Sequence, residues 1–178
     1  MTRKPYQTLN QRLLYENPWY QLRQDDVVLP NGEHTVYNVI NKADAAWVVP
    51  VLTDGRVVLI NQYRYAIDEW CLEIPAGGIY GDTSPEQTAH QELREEIGGT
   101  AGSLTFLGQF WTMNGIGNEL GHFFLATDVS LSEAVQHEAT EVIELKIVEA
   151  REAIAMARSG QIQDAPSALA ILLCESRF

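Results

Sequence analysis

Strand-like mixtures of apolar and polar residues recur along this chain and predict a protein rich in β-structure. Residues 19–29 and 35–40 flank Asn31-Gly32, the strongest two-residue signal for a β-hairpin. We therefore predict a hairpin near the N-terminus. Further strand-like segments cover residues 46–52, 56–63, 70–74, 104–111, 122–126 and 142–147.

The clearest helical segment runs from Pro85 to about Ile97. Proline is favoured at the first helical position, and Ser84 before it can cap the free backbone N–H groups. Gln87 stands where a capping box needs an amide or carboxylate, and Gly98 suits the end of the helix. These local signals predict a helix over residues 85–97.

Two later segments also predict helices. One covers about residues 148–158 and stops near Gly160, and the other follows Asp164 and runs towards Arg177. Strands with interspersed helices, joined by hairpins rather than by regular crossovers, are typical of α+β or mixed α/β proteins. The length of 178 residues suits one domain with a small appendage.

The net charge is -12, with 24 acidic against 12 basic residues. This balance argues against a nucleic-acid partner, which would require a basic face. No apolar run reaches the roughly 18 residues that span a bilayer, and the charged start of the chain lacks the apolar segment of a leader. Two cysteines, Cys71 and Cys174, are too few for a disulfide framework, so we expect buried free thiols and a cytoplasmic protein without membrane partners.

The helix over residues 85–97 carries clustered glutamates beside an apolar stripe. The stripe consists of Ala89, Leu93 and Ile97. Glu92 and Glu96 lie four residues apart on an adjacent stripe, and Glu95 flanks them. Like charges at this spacing destabilise a helix by about 0.2–0.5 kcal/mol per pair. A divalent cation reverses the sign of that effect, and Mg²⁺ prefers such oxygen ligands. A solvated acidic face is the alternative explanation.

The segment from Glu73 to Gly78 favours the metal-binding explanation. It predicts a strand end that opens into a glycine loop, where backbone groups can approach a ligand closely. Together with the following helix, this region resembles the Nudix box of the Nudix hydrolases. The matching positions are Gly77, Glu92, Leu93, Glu95, Glu96 and Gly98, and the departures are Thr83, Gln91 and Gly99.

The resemblance extends over most of the chain and is closest to the branch of ADP-ribose and nucleotide-sugar pyrophosphatases. The supporting segments are residues 29–32, 62–65, 73–78 and 164–167. It implies an α/β/α sandwich around a mixed sheet, with a Nudix domain over residues 43–178. Residues 1–42 would form an N-terminal β-hairpin extension that is exchanged between the subunits of a homodimer.

The resemblance also implies a magnesium-dependent hydrolysis, with manganese as an alternative metal. Glu92, Glu96 and the carbonyl of Ala76 would bind metal, and Glu95 would bind metal or water. Water would attack a diphosphate phosphorus, which requires a general base. Our first candidate is Glu119, in the loop of residues 113–119. The alternatives, Glu138 and Glu141, belong to a second acidic stretch.

Substrate contacts are predicted at two places. Arg64 ends a strand and has the planar donor fork that suits phosphate, although a surface ion pair is the alternative. Trp19, Tyr20, Arg23 and Tyr37 lie in the predicted hairpin, where aromatic rings either stack on a base or simply pack.

The loop at Gly115 gives a further expectation about the substrate. ADP-ribose enzymes often have proline before this glycine, whereas this chain has Asn114. ADP-ribose or another ADP-sugar is the first expectation. Other nucleotide sugars, dinucleotides and NADH remain open.

The box departures suggest a substituted brace. In the family, the box arginine and an earlier glutamate form an ion pair that braces the helix against its loop. Here Gln91 and Thr83 replace both partners, so we predict a neutral hydrogen bond between them. The alternative function is a catalytically weakened module that binds a nucleotide as a sensor.

Overall fold

The computed structural model describes residues 4–137 and 141–178. The chain divides into two compact units. The first combines the described part of Met1–Ala43 with Trp111–Leu120. The second combines Asp44–Phe110 with Gly121–Phe178. The sequence indicated the N-terminal segment but not that Trp111–Leu120, which is distant along the chain, joins it.

The first unit contains a three-stranded antiparallel sheet with strands in chain order. Its strands are β1 (Gln7–Glu16), β2 (Tyr20–Val28) and β3 (His34–Lys42). The predicted hairpin is confirmed as β2 and β3, and Gly32 in its turn has a φ of 86°. Strand β1 was not predicted. All ten of its residues are exposed, so no buried face imposes an alternating pattern on its sequence.

The second unit contains a mixed sheet. Its strands are β4 (Ala45–Leu52), β5 (Val57–Arg64), β6 (Glu69–Glu73), β7 (Ala76–Gly78), β8 (Gly99–Thr100), β9 (Ser103–Trp111), β10 (Leu120–Leu131) and β11 (Ile143–Val148). The main path runs β11-β5-β4-β10-β8, with β6 beside β5, β7 beside β4 and β9 beside β10. Strands β4 and β10 are parallel, whereas β5 is antiparallel to β4, β6 and β11.

Helices cover both faces of this sheet, which confirms the predicted α/β/α sandwich. The helices are α1 (Pro85–Ile97), α2 (Ala150–Ser159) and α3 (Ala165–Leu173), followed by a 3-10 turn at Glu175–Arg177. Trp47 and Val49 of β4 belong to the core on the side of α2 and α3, whereas Ala46 and Val48 belong to the core under α1. The final helix ends earlier than predicted.

Local signals determine how α1 begins and ends. The Ser84 hydroxyl accepts from the Gln87 N–H at 3.2 Å, and the Gln87 side chain accepts from the Ser84 N–H at 2.8 Å, which confirms the capping box. The predicted apolar stripe is buried, with Leu93 fully inaccessible. At the other end, Gly98 is left-handed with a φ of 62°. A Cβ at Gly98 would also collide with the carbonyl of Glu133, so two separate constraints require glycine.

The two cysteines, Cys71 and Cys174, are buried and unpaired, as predicted. Burial raises the pKa of the Cys174 thiol to about 12. None of the helices formed by residues 4–137 and 141–178 combines the length and the apolar character that crossing a bilayer requires.

Candidate active site

Glu96 is the most buried carboxylate on α1, with 3% of the residue exposed. Its Oε2 accepts from the backbone N–H of Ala76 at 3.1 Å. Burial raises the pKa of the Glu96 carboxyl well above its ordinary value, and the negative charges of Glu92 and Glu141 raise it further. The surroundings therefore disfavour the charged form that the helix sequence brings to this position.

Glu92 lies directly over the glycine segment that precedes α1. A Cβ built on Gly77 would collide with the Glu92 carboxylate, so this close approach requires glycine. We predicted a glycine loop here, but Ala76–Gly78 instead pairs with β4 as the short strand β7. The pairing fixes Gly77 opposite Ala46 and holds the glycine backbone beside the helix carboxylates.

Arg64 forms an ion pair, which is the alternative that the sequence left open, and its partner is Glu73, which the sequence did not indicate. Arg64 Nε donates to Glu73 Oε1 at 2.8 Å, and Nη2 donates to Oε2 at 2.5 Å. The Glu73 side chain is 6% exposed and that of Arg64 is 44% exposed. Part of the Arg64 donor fork therefore neutralises a buried acid, and phosphate binding by its remaining donors stays a prediction. The sequence feature that could have indicated this pairing is an acidic residue, Glu73, within a predicted strand.

Gln91 and Thr83 have different partners from those predicted. The Gln91 amide nitrogen donates to both Glu95 oxygens, at 3.0 and 3.2 Å. The Thr83 hydroxyl donates to the carbonyl of Tyr80 at 2.7 Å. Among the described contacts, the predicted hydrogen bond between Thr83 and Gln91 is wrong. Each of the two side chains instead bonds to a residue three or four positions away along the chain. Gln91 instead orients Glu95.

The three candidates for the general base have different surroundings. Glu119 belongs to the first unit, where it is 5% exposed, pairs with Lys42 and accepts from the Thr112 hydroxyl at 2.5 Å. Glu141 belongs to the second unit, is half-buried and raises the pKa of Glu96 through its charge. Glu138 lies outside the described residues.

A segment before Glu141 is attached to the C-terminal end of α1. The backbone N–H groups of Ser132 and Glu133 donate to the Gly98 carbonyl, each at 3.1 Å. Gln136 N–H donates to the Glu95 carbonyl at 2.8 Å, and His137 Nε2 lies 2.9 Å from the Glu96 carbonyl. These contacts satisfy carbonyl groups that have no partner within the helix. No local pattern in the sequence predicts these contacts.

The aromatic residues predicted to contact substrate lie in the first unit. Trp19 is 62% exposed, whereas the Arg23 guanidinium is engaged with the Asp25 carboxylate at 2.8 Å. A cavity of about 680 Å³ lies within this unit. It is lined by Tyr15, Tyr20, Leu22, Ile40, Lys42 and Met113. Tyr37 is partly exposed, and a Cβ on Gly115 would meet open space among the described residues beyond its two chain neighbours.

The donors around α1 fit a hard divalent cation. Glu96 is buried among like charges, and the Glu92 carboxylate lies against Gly77. Across residues 4–137 and 141–178, no three His, Cys, Asp or Glu side chains gather as a complete metal centre. A cation here would therefore depend on two carboxylates, backbone oxygen and water, which is the pattern that Mg²⁺ prefers.

Two family models match the chain. The NUDIX domain matches residues 41–168, and the N-terminal domain of nucleoside diphosphate sugar hydrolases matches residues 6–40. The chain is 32% identical over 165 residues to an ADP-ribose pyrophosphatase of Bacillus subtilis, covering 92% of this chain and 89% of that protein. It is 30% identical over 174 residues to a GDP-mannose pyrophosphatase of Yersinia enterocolitica, covering 89% and 88% respectively.

A solved structure has the same fold. The crystal structure of an ADP compounds hydrolase superposes with a TM-score of 0.86 at 20% sequence identity. The match covers 99% of this chain and 95% of the other. The fold implied by the Nudix-like box is thereby confirmed.

Proposed function

Because the chain belongs to the NUDIX domain family, we propose that it hydrolyses the pyrophosphate bond of a nucleoside diphosphate sugar. The observation that carries this proposal is the placement of Glu92 and Glu96 against the Ala76–Gly77 backbone. The proteins named ADP-ribose pyrophosphatase and GDP-mannose pyrophosphatase support this substrate class. ADP-ribose or another ADP-sugar is our first candidate, and the products would be AMP and a sugar phosphate.

The residues of the second unit would divide the work. Glu92, Glu96 and the Ala76 carbonyl would hold Mg²⁺ or Mn²⁺, and Glu95 would contribute a further oxygen. The bound cation would neutralise charge on the phosphate and lower the pKa of water. Gln91 keeps the Glu95 carboxylate oriented through its two hydrogen bonds.

Arg64 would contribute to substrate binding through the guanidinium donors that Glu73 leaves available. Its side chain is 44% exposed, so a phosphate can approach it. The pairing with Glu73 also fixes the direction of the fork. We propose that Arg64 orients the diphosphate rather than supplying an unengaged charge.

Among the described residues, two of the three candidates for the general base can be compared, Glu119 and Glu141. The effect of Glu141 on the pKa of Glu96 favours Glu141, because a base must act close to the carboxylate cluster. Glu119 already binds Lys42 and Thr112. Removing it would therefore also disturb its own surroundings.

The exposed sheet of the first unit supports a homodimer. Strand β1 presents several large apolar side chains to solvent, and such patches are typical of association sites. They are Leu9, Leu13, Leu14 and Tyr15, each between 50% and 56% exposed. We propose that a second copy of the chain covers them. The two free buried cysteines are consistent with a reducing, cytoplasmic setting.

Light scattering tests the dimer. The double variant Leu13→Asp and Leu14→Asp would place two charges in an apolar contact, so a monomer is expected from a wild-type dimer. Glu16→Gln, at the exposed end of the same strand, is the control and should stay dimeric. A dimeric double variant would contradict this assignment of the interface.

A substrate panel tests the activity. Purified chain with Mg²⁺ is incubated with ADP-ribose, other ADP-sugars, GDP-mannose, dinucleotides and NADH, and the products are separated by chromatography. We expect AMP and a sugar phosphate from an ADP-sugar. Tight binding of a nucleotide with no turnover would instead support the sensor module.

A further inference from the structure

Gln62 of β5 is a buried polar residue. Only 5% of it is exposed, and its Oε1 has no hydrogen-bond partner among the described residues. A buried amide oxygen without a partner destabilises a folded chain, so such groups require an explanation. A donor from outside the described protein contacts would satisfy this oxygen.

The position of Gln62 on β5 indicates what it faces. Val58 and Ile60 of the same strand belong to the core under α1, and side chains two residues apart lie on the same face of a strand. Gln62 therefore lies on the α1 side, between the apolar core at Ile60 and the ion pair of Arg64. The opposite residue on β11 is Ile143, which packs against the same core.

The charged groups at this end of the sheet are mostly acceptors. Glu73 is bound to Arg64, and the positive charge of Arg64 also acts on Glu96. Glu141 likewise acts on Glu96. An amide oxygen cannot bond directly to a carboxylate oxygen, because both are acceptors unless the carboxyl is protonated. The simplest group that links two acceptors is a water molecule, which can donate to each of them.

We propose that Gln62 is a positioning residue of the hydrolytic site, and that its Oε1 accepts a hydrogen bond from a water molecule that also donates to the α1 carboxylates. This inference rests on the proposed function. It predicts that the Gln62 side chain favours turnover at the expense of the stability of the folded chain. A role in the fold alone would predict that removing the amide destabilises the chain, whereas a role in the site predicts that removal stabilises the chain and impairs turnover.

The variant Gln62→Met tests the proposal, because methionine has a similar length and lacks the acceptor. We expect kcat to fall by about ten- to a hundredfold, since outer-shell partners at such sites have effects of this size. KM should change by less than about threefold. The melting temperature without metal should stay the same or rise, because an unsatisfied buried group has been removed.

Asn61→Leu is the matched control. It replaces the neighbouring amide on the same strand, and its side chain points to the opposite face of the sheet. Its kcat should remain close to that of the wild type. Equal activity of Gln62→Met and wild type would overturn the proposal. A lower melting temperature together with a proportional loss in Asn61→Leu would also overturn it, since both would then report damage to β5.

Two further measurements separate this inference from the proposed function. A crystal structure of the full chain with Mg²⁺ should contain a water oxygen about 2.6–3.2 Å from Gln62 Oε1. A protein donor at that place, or no donor at all, would refute the proposal. The Mg²⁺ concentration that gives half of the maximal thermal stabilisation should rise in Gln62→Met. If the wild type hydrolyses none of the panel, the proposed function fails, while these two measurements still decide the role of Gln62.

Discussion

Glu96 in the second unit and Glu119 in the first unit are both buried, yet their surroundings differ. Glu119 lies against the ammonium of Lys42 and the hydroxyl of Thr112, which compensate its charge. Glu96 receives a backbone N–H from Ala76 but lies near the negative charges of Glu92 and Glu141. The fold itself satisfies the first carboxylate. The second has the surroundings of a group that requires a ligand from outside the chain.

The largest effect is expected for Glu96→Gln. Loss of one cation-binding carboxylate should lower turnover by about two to three orders of magnitude. The folded state should be preserved, because an amide can still accept from Ala76. Circular dichroism and steady-state kinetics measure the two properties. Glu86→Gln, exposed in the first turn of the same helix, is the control and should keep full activity. A fully active Glu96→Gln variant would show that Glu96 does not bind a cation needed for turnover.

Glu119→Gln should mainly reduce stability. The amide cannot compensate Lys42 fully, and we expect a loss of about 1–2 kcal/mol, since the lysine side chain remains 36% exposed. Urea denaturation measures this loss, and kcat should fall by less than tenfold. The opposite result, unchanged stability with turnover abolished, would make Glu119 the general base that the sequence first suggested.

The pH dependence of the melting temperature of the metal-free chain is a second test of the uncompensated charge of Glu96. The pKa of Glu96 in the folded chain is raised above its ordinary value of 4.5, so the protonated Glu96 carboxyl stabilises the folded chain below pH 4.5. This stabilisation is lost as the pH rises through the raised pKa. The melting temperature of the wild type should therefore fall relative to Glu96→Gln by a few degrees towards neutral pH. Calorimetry with a chelator measures the difference. If the melting temperatures of the two proteins changed in parallel with pH, the ionised Glu96 carboxylate would not destabilise the metal-free chain.

The smallest effect concerns Thr83 and Gln91. Each bonds to a different group, so Thr83→Ala and Gln91→Leu should be additive within about 0.3–0.5 kcal/mol. Gln91→Leu alone should raise the Mg²⁺ requirement, because Glu95 loses its two hydrogen bonds, whereas Thr83→Ala should not. A coupling energy above about 1 kcal/mol would restore the brace that the sequence suggested.

Local signals made α1 predictable from the sequence. Ser84, Pro85, Gln87 and Gly98 act within one turn of the backbone, and the spacing of Leu93 and Ile97 fixes which face is buried. The hairpin of β2 and β3 depends equally on a short-range signal at Asn31-Gly32. Such features need no knowledge of the rest of the fold.

Features that depend on distant contacts were missed or mistaken. The pairing of Glu73 with Arg64 joins two strands, and the burial of Gln62 depends on how β5 packs beneath α1. The predicted contact between Thr83 and Gln91 was carried over from the ion pair that these two positions form in the family. Side-chain reach decided otherwise, since the amide of Gln91 finds Glu95 one turn along its own helix.

The hydrogen bonds between the segment at Ser132–His137 and the end of α1 have a consequence for amide exchange with deuterium. The N–H groups of Ser132, Glu133 and Gln136 are bonded to carbonyls of Glu95 and Gly98, so they exchange only when those bonds open. The segment and the helix end should therefore take up deuterium together. A ligand that steadies Glu92 and Glu96 would slow this uptake at residues far along the chain, where a mass spectrometer can record the binding event without any turnover.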